Sequence, residues 1–196
     1  MIIYLDTETT GLRPGKICQL SYLMQDEKGT TAKNLYFSVD YVEAGALSVH
    51  GLSPQKLKVL SGGKTFQDCI EEIENDFSKA DLVICHNVSF DFMFLTAEFE
   101  NSLKEFCVKE SFCSMKKLTP IIKLKRSSGM GYKYPKLSEM CAYFELIDME
   151  ILKSTQELFG ESLGYHDARF DTTALYLAVN RGMQTEKELE HLKDFI

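Results

Sequence analysis

The sequence predicts an α/β fold that opens with an antiparallel sheet. Residues 1–5 form a continuous apolar run with β-branched and aromatic members, which reads as a buried strand. Residues 17–25 and 32–39 are two further apolar stretches, joined by the turn-forming Asp26-Glu27-Lys28-Gly29, so three strands open the chain as antiparallel neighbours. Beyond residue 65, amphipathic helical patterns alternate with short apolar runs.

The first strand ends in Asp6-Thr7-Glu8. Strand side chains alternate faces, so Asp6 and Glu8 project to one side and Thr7 to the other. Two like charges at the end of a buried strand pack poorly unless a cation sits between them, and hard oxygen ligands suit Mg²⁺ or Mn²⁺. The plainer alternative is a solvated acidic turn closed by Thr10-Gly11. Arg13-Pro14-Gly15-Lys16 is a turn by composition.

Further on, Ser53-Pro54 starts a short helix, with His50-Gly51 in the turn before it. Thr65 opens an amphipathic helix that carries Phe66, Cys69, Ile70, Ile73 and Phe77 on one face. Residues 81–87 form another buried strand, followed by Ser89-Phe90-Asp91 and a helix over 92–99. Asp91 then sits at a helix start, where it could serve as N-cap or belong to a site beyond a strand's carboxyl end. Residues 108–113 read as an edge strand and 118–124 as a helix or irregular segment interrupted by Pro120. Between Lys116 and Lys136 lie seven cations and no acid, either a solvated loop or a phosphate-contacting lid. Gly129, Gly131, Tyr132 and Tyr134 make that stretch a loop with aromatic faces.

Helices follow over 136–144 and 145–160, the second ending at Gly160. A last long helix runs to Arg181 and closes at Gly182. His166 and Asp171 are five residues apart, roughly 140° on one helix, so both face one site only if His166 lies in the preceding loop. Asp167 reads as a first-turn acid favoured by the helix dipole. Residues 184–196 form a short helix that either frays or docks.

With 196 residues, 44% hydrophobic and 26% charged, the chain has the composition of one globular domain with a sizeable core. No apolar run approaches the roughly 20 residues needed to cross a bilayer. No signal peptide is read at the N-terminus, which makes the cytoplasm the expected location. The six cysteines make no C-x-x-C pair and are expected reduced in apolar surroundings. A net charge of −7 argues against a general nucleic-acid coating protein, though not against an enzyme that grips one strand end.

Three segments carry a resemblance. Asp6-Thr7-Glu8 on the first strand, Asn87-x-x-Phe90-Asp91 after a later strand, and His166-x-Ala168-x-x-Asp171 near the C-terminus resemble the DEDD exonucleases of the histidine subtype in order, spacing and residue type. These are the DnaQ-like proofreading and repair nucleases, with oligoribonuclease and RNase T as cousins. Residues 49–52 and 134–137 also look like segments of that family. The resemblance covers the chain to about Arg181. It implies a DnaQ-like domain over 1–182 and a helical tail over 183–196. The fold it implies is ribonuclease-H-like: a mixed five-stranded sheet, three antiparallel strands first, with helices on both faces.

It also implies a chemistry, the 3′→5′ removal of nucleoside 5′-monophosphates. Asp6, Glu8, Asp91 and Asp171 would hold two Mg²⁺ or Mn²⁺ ions, and His166 would be general base. Thr9 would hold the terminal 3′-OH, Leu12 and Phe90 would pack on the terminal bases, and His50 would line the terminal-nucleotide pocket. The implied partners are the 3′ end of single-stranded DNA, with RNA as the alternative, and a polymerase or other replication or repair protein. No membrane partner is implied. Two rivals read differently. Asp6-Thr7-Glu8-Thr9 is one residue off the D-x-D-x-T signature of aspartyl-phosphate phosphatases, which leaves His166 and Asp171 unexplained. A non-catalytic nucleic-acid-binding module on the same fold would be expected to have lost acids, and none is lost.

Overall fold

The computed structural model describes residues 1–13, 15–160 and 167–196. Five strands form one sheet: β1 (Ile2–Thr9), β2 (Ile17–Asp26), β3 (Gly29–Tyr36), β4 (Leu82–Cys85) and β5 (Ser111–Cys113), in spatial order β3-β2-β1-β4-β5. β1–β2 and β2–β3 pair antiparallel, whereas β4 pairs parallel with both β1 and β5. The expected mixed sheet with three antiparallel strands first is present. β3 starts at Gly29, earlier than the apolar pattern indicated, because the tight turn at Glu27-Lys28 brings the chain straight back into register with Asp26.

Eight α-helices are described: α1 (Ala44–His50), α2 (Pro54–Leu60), α3 (Phe66–Phe77), α4 (Val88–Asn101), α5 (Ser114–Ile122), α6 (Leu137–Tyr143), α7 (Asp148–Phe159) and α8 (Ala168–Thr185). A 3-10 segment, Lys187–Phe195, follows. Among the described residues no helix is long and apolar enough to cross a membrane.

Strand alternation sorts the core into two layers. Ile2 and Tyr4 of β1, with Leu82 and Ile84 of β4, face a cluster that includes Met140 of α6 and Phe144 at its end, Ile151 of α7, and Leu175, Ala178 and Val179 of α8. Ile3 and Leu5, with Val83 and Cys85, face Phe66, Ile70 and Ile73 of α3 and Phe94 and Leu95 of α4. The period of two in β1 thus decides which helix each of its later residues meets.

Several local readings change. α4 begins at Val88, not 92, so Asp91 lies inside its first turn and Asn87 is the N-cap. Gly182 does not close α8, which runs on to Thr185. It is a point of close approach: a Cβ there would meet Leu189 Cδ1 at 2.5 Å and the Phe144 ring at 2.9 Å. The tail docks, with Leu189 and Leu192 buried against α8. All six cysteines are free, as expected, but Cys107 is exposed and not in the core.

Candidate active site

The acids lie where the two core layers meet the carboxyl end of β1. Asp6 and Glu8 continue the even-numbered face of the strand, the face on which α8 packs. Asp171, in the first turn of α8, meets them there: Asp6, Glu8 and Asp171 offer carboxylate oxygens that all lie within 4.8 Å of one another. Thr7 continues the odd-numbered face toward α4, and its Oγ1 donates to Asp91 Oδ1 at 2.9 Å. Asp91 is buried, and its charge reaches both Asp6 and Glu8.

Burial and mutual repulsion act together on these carboxyls. Burial, then the charges of Asp171, Asp91, Glu8 and Asp167, push the Asp6 carboxyl well above its ordinary range. Burial, then Asp171, Asp167 and Asp91, push Glu8 up to about 8. Burial raises Asp91 to about 7, opposed by the hydrogen bond from Thr7. Three of the acids, Asp6, Glu8 and Asp91, are held toward their protonated forms by burial first and, for Asp6 and Glu8, by neighbouring carboxylates; with Asp171 they make an oxygen-rich donor set suited to hard divalent cations. His166 lies outside the described residues.

Asp167 is the N-cap of α8 rather than a first-turn acid. Its carboxylate accepts from Gln19 Nε2 at 2.8 Å, from Arg169 Nε at 2.8 Å and Nη2 at 2.9 Å, and from Tyr36 Oη at 3.2 Å. Burial would raise this carboxyl, but the bonds from Arg169 and Gln19 outweigh it and hold it below its ordinary range. Arg169 is itself buried, and its Nη2 also donates to Tyr36 Oη at 2.8 Å. This anchor ties the start of α8 to β2 and β3, and sequence reasoning missed it. The signal that could have found it is Gln19, a fully buried amide in an otherwise apolar strand.

Next to Glu8 opens a cavity of about 380 Å³ lined by Thr9, Leu12, His50 and Phe90, with Gly11 and Val49. The four residues singled out as nucleotide contacts are therefore neighbours in space. Leu12 is 82% exposed, which removes the core explanation for it. Phe90 stacks at a tilt on Phe94, ring centroids 5.0 Å apart. His50 ends α1 and is capped by Gly51 in the left-handed region, φ 66°. The Leu52 amide donates to His50 Nδ1 at 3.0 Å, which leaves the proton on Nε2 to be donated to the Thr9 carbonyl at 3.2 Å. Burial lowers its pKa, so the ring is neutral at physiological pH. Gly11, read from sequence only as a turn residue, also lines the cavity, and a Cβ there would have to displace the Glu43 carboxyl group, another lining residue.

The chain resembles known exonucleases and polymerase subunits in sequence and in fold. The family described as "RNase_T: Exonuclease" matches residues 3–176, from β1 to beyond Asp171. The chain is 23% identical over 205 residues to the DNA polymerase III subunit epsilon of Buchnera aphidicola subsp. Schizaphis graminum, covering 100% of this chain and 84% of that one. It is 30% identical over 154 residues to the same-named protein of Salmonella typhimurium, covering 74% and 60%. The fold superposes on the crystal structure of E. coli Exonuclease I in complex with a dA16 oligonucleotide with a TM-score of 0.71 at 15% identity, covering 98% of this chain and 43% of that one. The chain therefore spans about three fifths of the Salmonella relative and under half of Exonuclease I. A match that starts in the acid-bearing strand and runs through the helix carrying the third acid establishes that the chain belongs to the RNase_T exonuclease family.

Proposed function

We infer that the protein is a metal-dependent 3′→5′ exonuclease acting on single-stranded nucleic acid, DNA first, and releasing nucleoside 5′-monophosphates. One observation supports this above the others: three carboxylates offer oxygens within 4.8 Å of one another, and one of them, Glu8, also lines a cavity sized for a nucleotide. Asp6, Glu8, Asp91 and Asp171 are the residues that would hold two Mg²⁺ or Mn²⁺ ions. Such ions, when bound, relieve charge on the phosphodiester and make water acidic enough to attack at neutral pH.

The protein's own groups do the rest. Leu12 and Phe90 flank the terminal bases as apolar and aromatic platforms. Thr9 holds the terminal 3′-OH, and neutral His50, its tautomer fixed by Leu52, lines the sugar side. His166 takes the proton of the attacking water. The new P–O bond forms as the P–O3′ bond breaks, and a proton is returned to the departing 3′ oxygen. Asp167, locked by Arg169 and Gln19, fixes the chain on the residue next to His166. A polymerase or other replication or repair protein is the proposed protein partner, on the strength of the epsilon relatives' name.

The deciding experiment incubates the protein in Mn²⁺ with 5′-labelled single-stranded DNA, duplex DNA and RNA. Single-stranded DNA is expected to shorten in one-nucleotide steps from the 3′ end, and His166→Ala is expected to slow this by at least about 10²-fold while strand binding survives. Internal cuts, shortening from the 5′ end, or a His166→Ala protein of full activity would overturn the assignment. A phosphorylated Asp6 trapped from a phosphomonoester would move it to the phosphatase class.

A further inference from the structure

The segment between α5 and α6 has no role in the mechanism above. It carries most of the seven cations that lie between Lys116 and Lys136, in a chain whose net charge is −7. Its centre is a small ordered hairpin. Lys125 and Tyr132 form an antiparallel bridge, the Lys133 amide donates to the Leu124 carbonyl at 2.8 Å, and Arg126 Nε donates to the Tyr132 carbonyl at 2.9 Å. Gly129 and Gly131 turn its tip at φ 75° and 73°. Met130, Tyr134 and Tyr132 stand 79%, 54% and 40% exposed. Lys133 pairs with Glu139, and among the described residues the other six cations form no ion pair. Aromatic rings held in water among unneutralised cations gain nothing for the fold, and they match a ligand that is both anionic and rich in π faces.

Contacts on either side of the hairpin lie near the acids. The start of α5, the helix that leads into the hairpin, is anchored by Lys116 Nζ, which donates to Ser89 Oγ at 3.1 Å, one residue from the cavity-lining Phe90. On its C-terminal side, the buried Pro135 presents its carbonyl to His86 Nε2 at 3.0 Å, and the other ring nitrogen meets Ser114 Oγ at 3.0 Å. His86 immediately follows β4. α6, which the hairpin feeds, then lines a second pocket together with Asp171. The segment thus runs from the Phe90 side of the acid cluster to the Asp171 side.

We propose that the hairpin of residues 123–136 is the binding surface for the part of a single strand that lies upstream of the terminal nucleotide, with bases stacked on Tyr132 and Tyr134 and phosphates on Lys125 and Arg126. This rests on the exonuclease reading and names its substrate class: a strand whose bases are unpaired, because duplex bases cannot stack on side chains. It also gives an acidic protein a local place to grip a polyanion, a short ordered strip on which Lys123, Lys125, Arg126 and Lys136 stand with no acid between them.

Two substrates separate the hairpin from the chemistry. One is a 5′-labelled single strand of about 12 nucleotides, within the span of one binding site. The other is the p-nitrophenyl ester of thymidine 5′-monophosphate, which has no upstream strand. In Lys125→Ala/Tyr134→Ala, KM for the strand should rise roughly 5- to 150-fold, and the slope of log Kd against log salt should shrink by about 0.7, while hydrolysis of the ester stays unchanged. Tyr134→Phe, which keeps the ring, should retain the parental KM. If the double variant folds poorly, the single exposed change Lys125→Glu gives the same comparison. An unchanged KM for the strand, or equal losses on both substrates, overturns the proposal. If the unaltered protein cleaves neither substrate, it is the exonuclease reading that fails, and anisotropy of the labelled strand in EDTA still decides whether the hairpin binds it.

Discussion

At the scale of single residues, the acid cluster is a stability cost that a bound cation would offset. Asp6 is the extreme case, since burial and four neighbouring carboxylates all oppose its charge. Asp6→Asn removes one charge from that group while keeping the shape. The metal-free protein should therefore melt higher than the parent, the loss of function going together with a gain in stability. The same variant should lose Mn²⁺-dependent hydrolysis by about 10³-fold or more, and most of the rise in Tm that Mn²⁺ confers on the parent. A calorimetric scan with and without Mn²⁺ reads both quantities; a lower Tm in EDTA would mean Asp6 is a structural acid with a partner after all. These acids were legible in the sequence because their order and spacing are local to three short segments. The Gln19–Asp167–Arg169 anchor was not, because its partners lie 148 and 2 residues apart in the chain and only the folded sheet brings them together.

At the scale of elements, the errors in the sequence reading fall at the ends of elements, and two at helix ends have clear causes. α4 was expected to start four residues late, because Ser89-Phe90-Asp91 looks like a capping stretch and the helix is apolar on more than one face, which weakens its periodicity. The displacement matters: inside the first turn, Asp91 is carried under β1 to Thr7 and is not spent on capping. Gly182 was expected to end α8, the usual meaning of a glycine after a helical run. It is instead the gap into which Phe144 and Leu189 pack. Gly182→Leu should then expel the tail from α8 or strain the Phe144 contact, at a cost of about 1–3 kcal/mol, despite leucine's better helix propensity. Urea denaturation checks the sign, and a stabilised variant would show that the tail is loosely held. Because the substitution is far from β1's carboxyl end, hydrolysis by the folded protein should keep its parental KM.

At the scale of the whole molecule, the sheet order was legible only through family resemblance, since nothing local to residues 81–87 says that this strand inserts parallel beside β1. Once inserted, strand parity does the remaining work: the even face of β1 carries Asp6 and Glu8 to α8, the odd face carries Thr7 to α4, and the acids converge at one end. The pH dependence of global stability follows from that convergence. Glu8 titrates near 4.5 in an unfolded chain and near 8 when folded without metal, and Asp91 near 3.8 and near 7. Through this window the folded state keeps protons that the unfolded state has released, so stability falls as pH rises. His50 and His86, both lowered by burial, act oppositely, but their contribution is complete once pH exceeds their unfolded value of about 6.5. Asp81, depressed to about 2 by its hydrogen bond from Lys109, acts only in the acid range. Among the described residues with shifted values, the acid cluster is left as the main titrating load between pH 6.5 and 8. In EDTA, Tm should drop across that interval, and Glu8→Gln should blunt the drop. Saturating Mn²⁺ should abolish or reverse it, because the cation binds the ionised carboxylates that the metal-free fold disfavours. Thermal melts at half-unit pH steps, with and without Mn²⁺, make the comparison. A metal-free Tm that is flat or rising from pH 6.5 to 8 would mean that these carboxyls ionise freely, and the case for a cation-holding cage would lose its electrostatic basis.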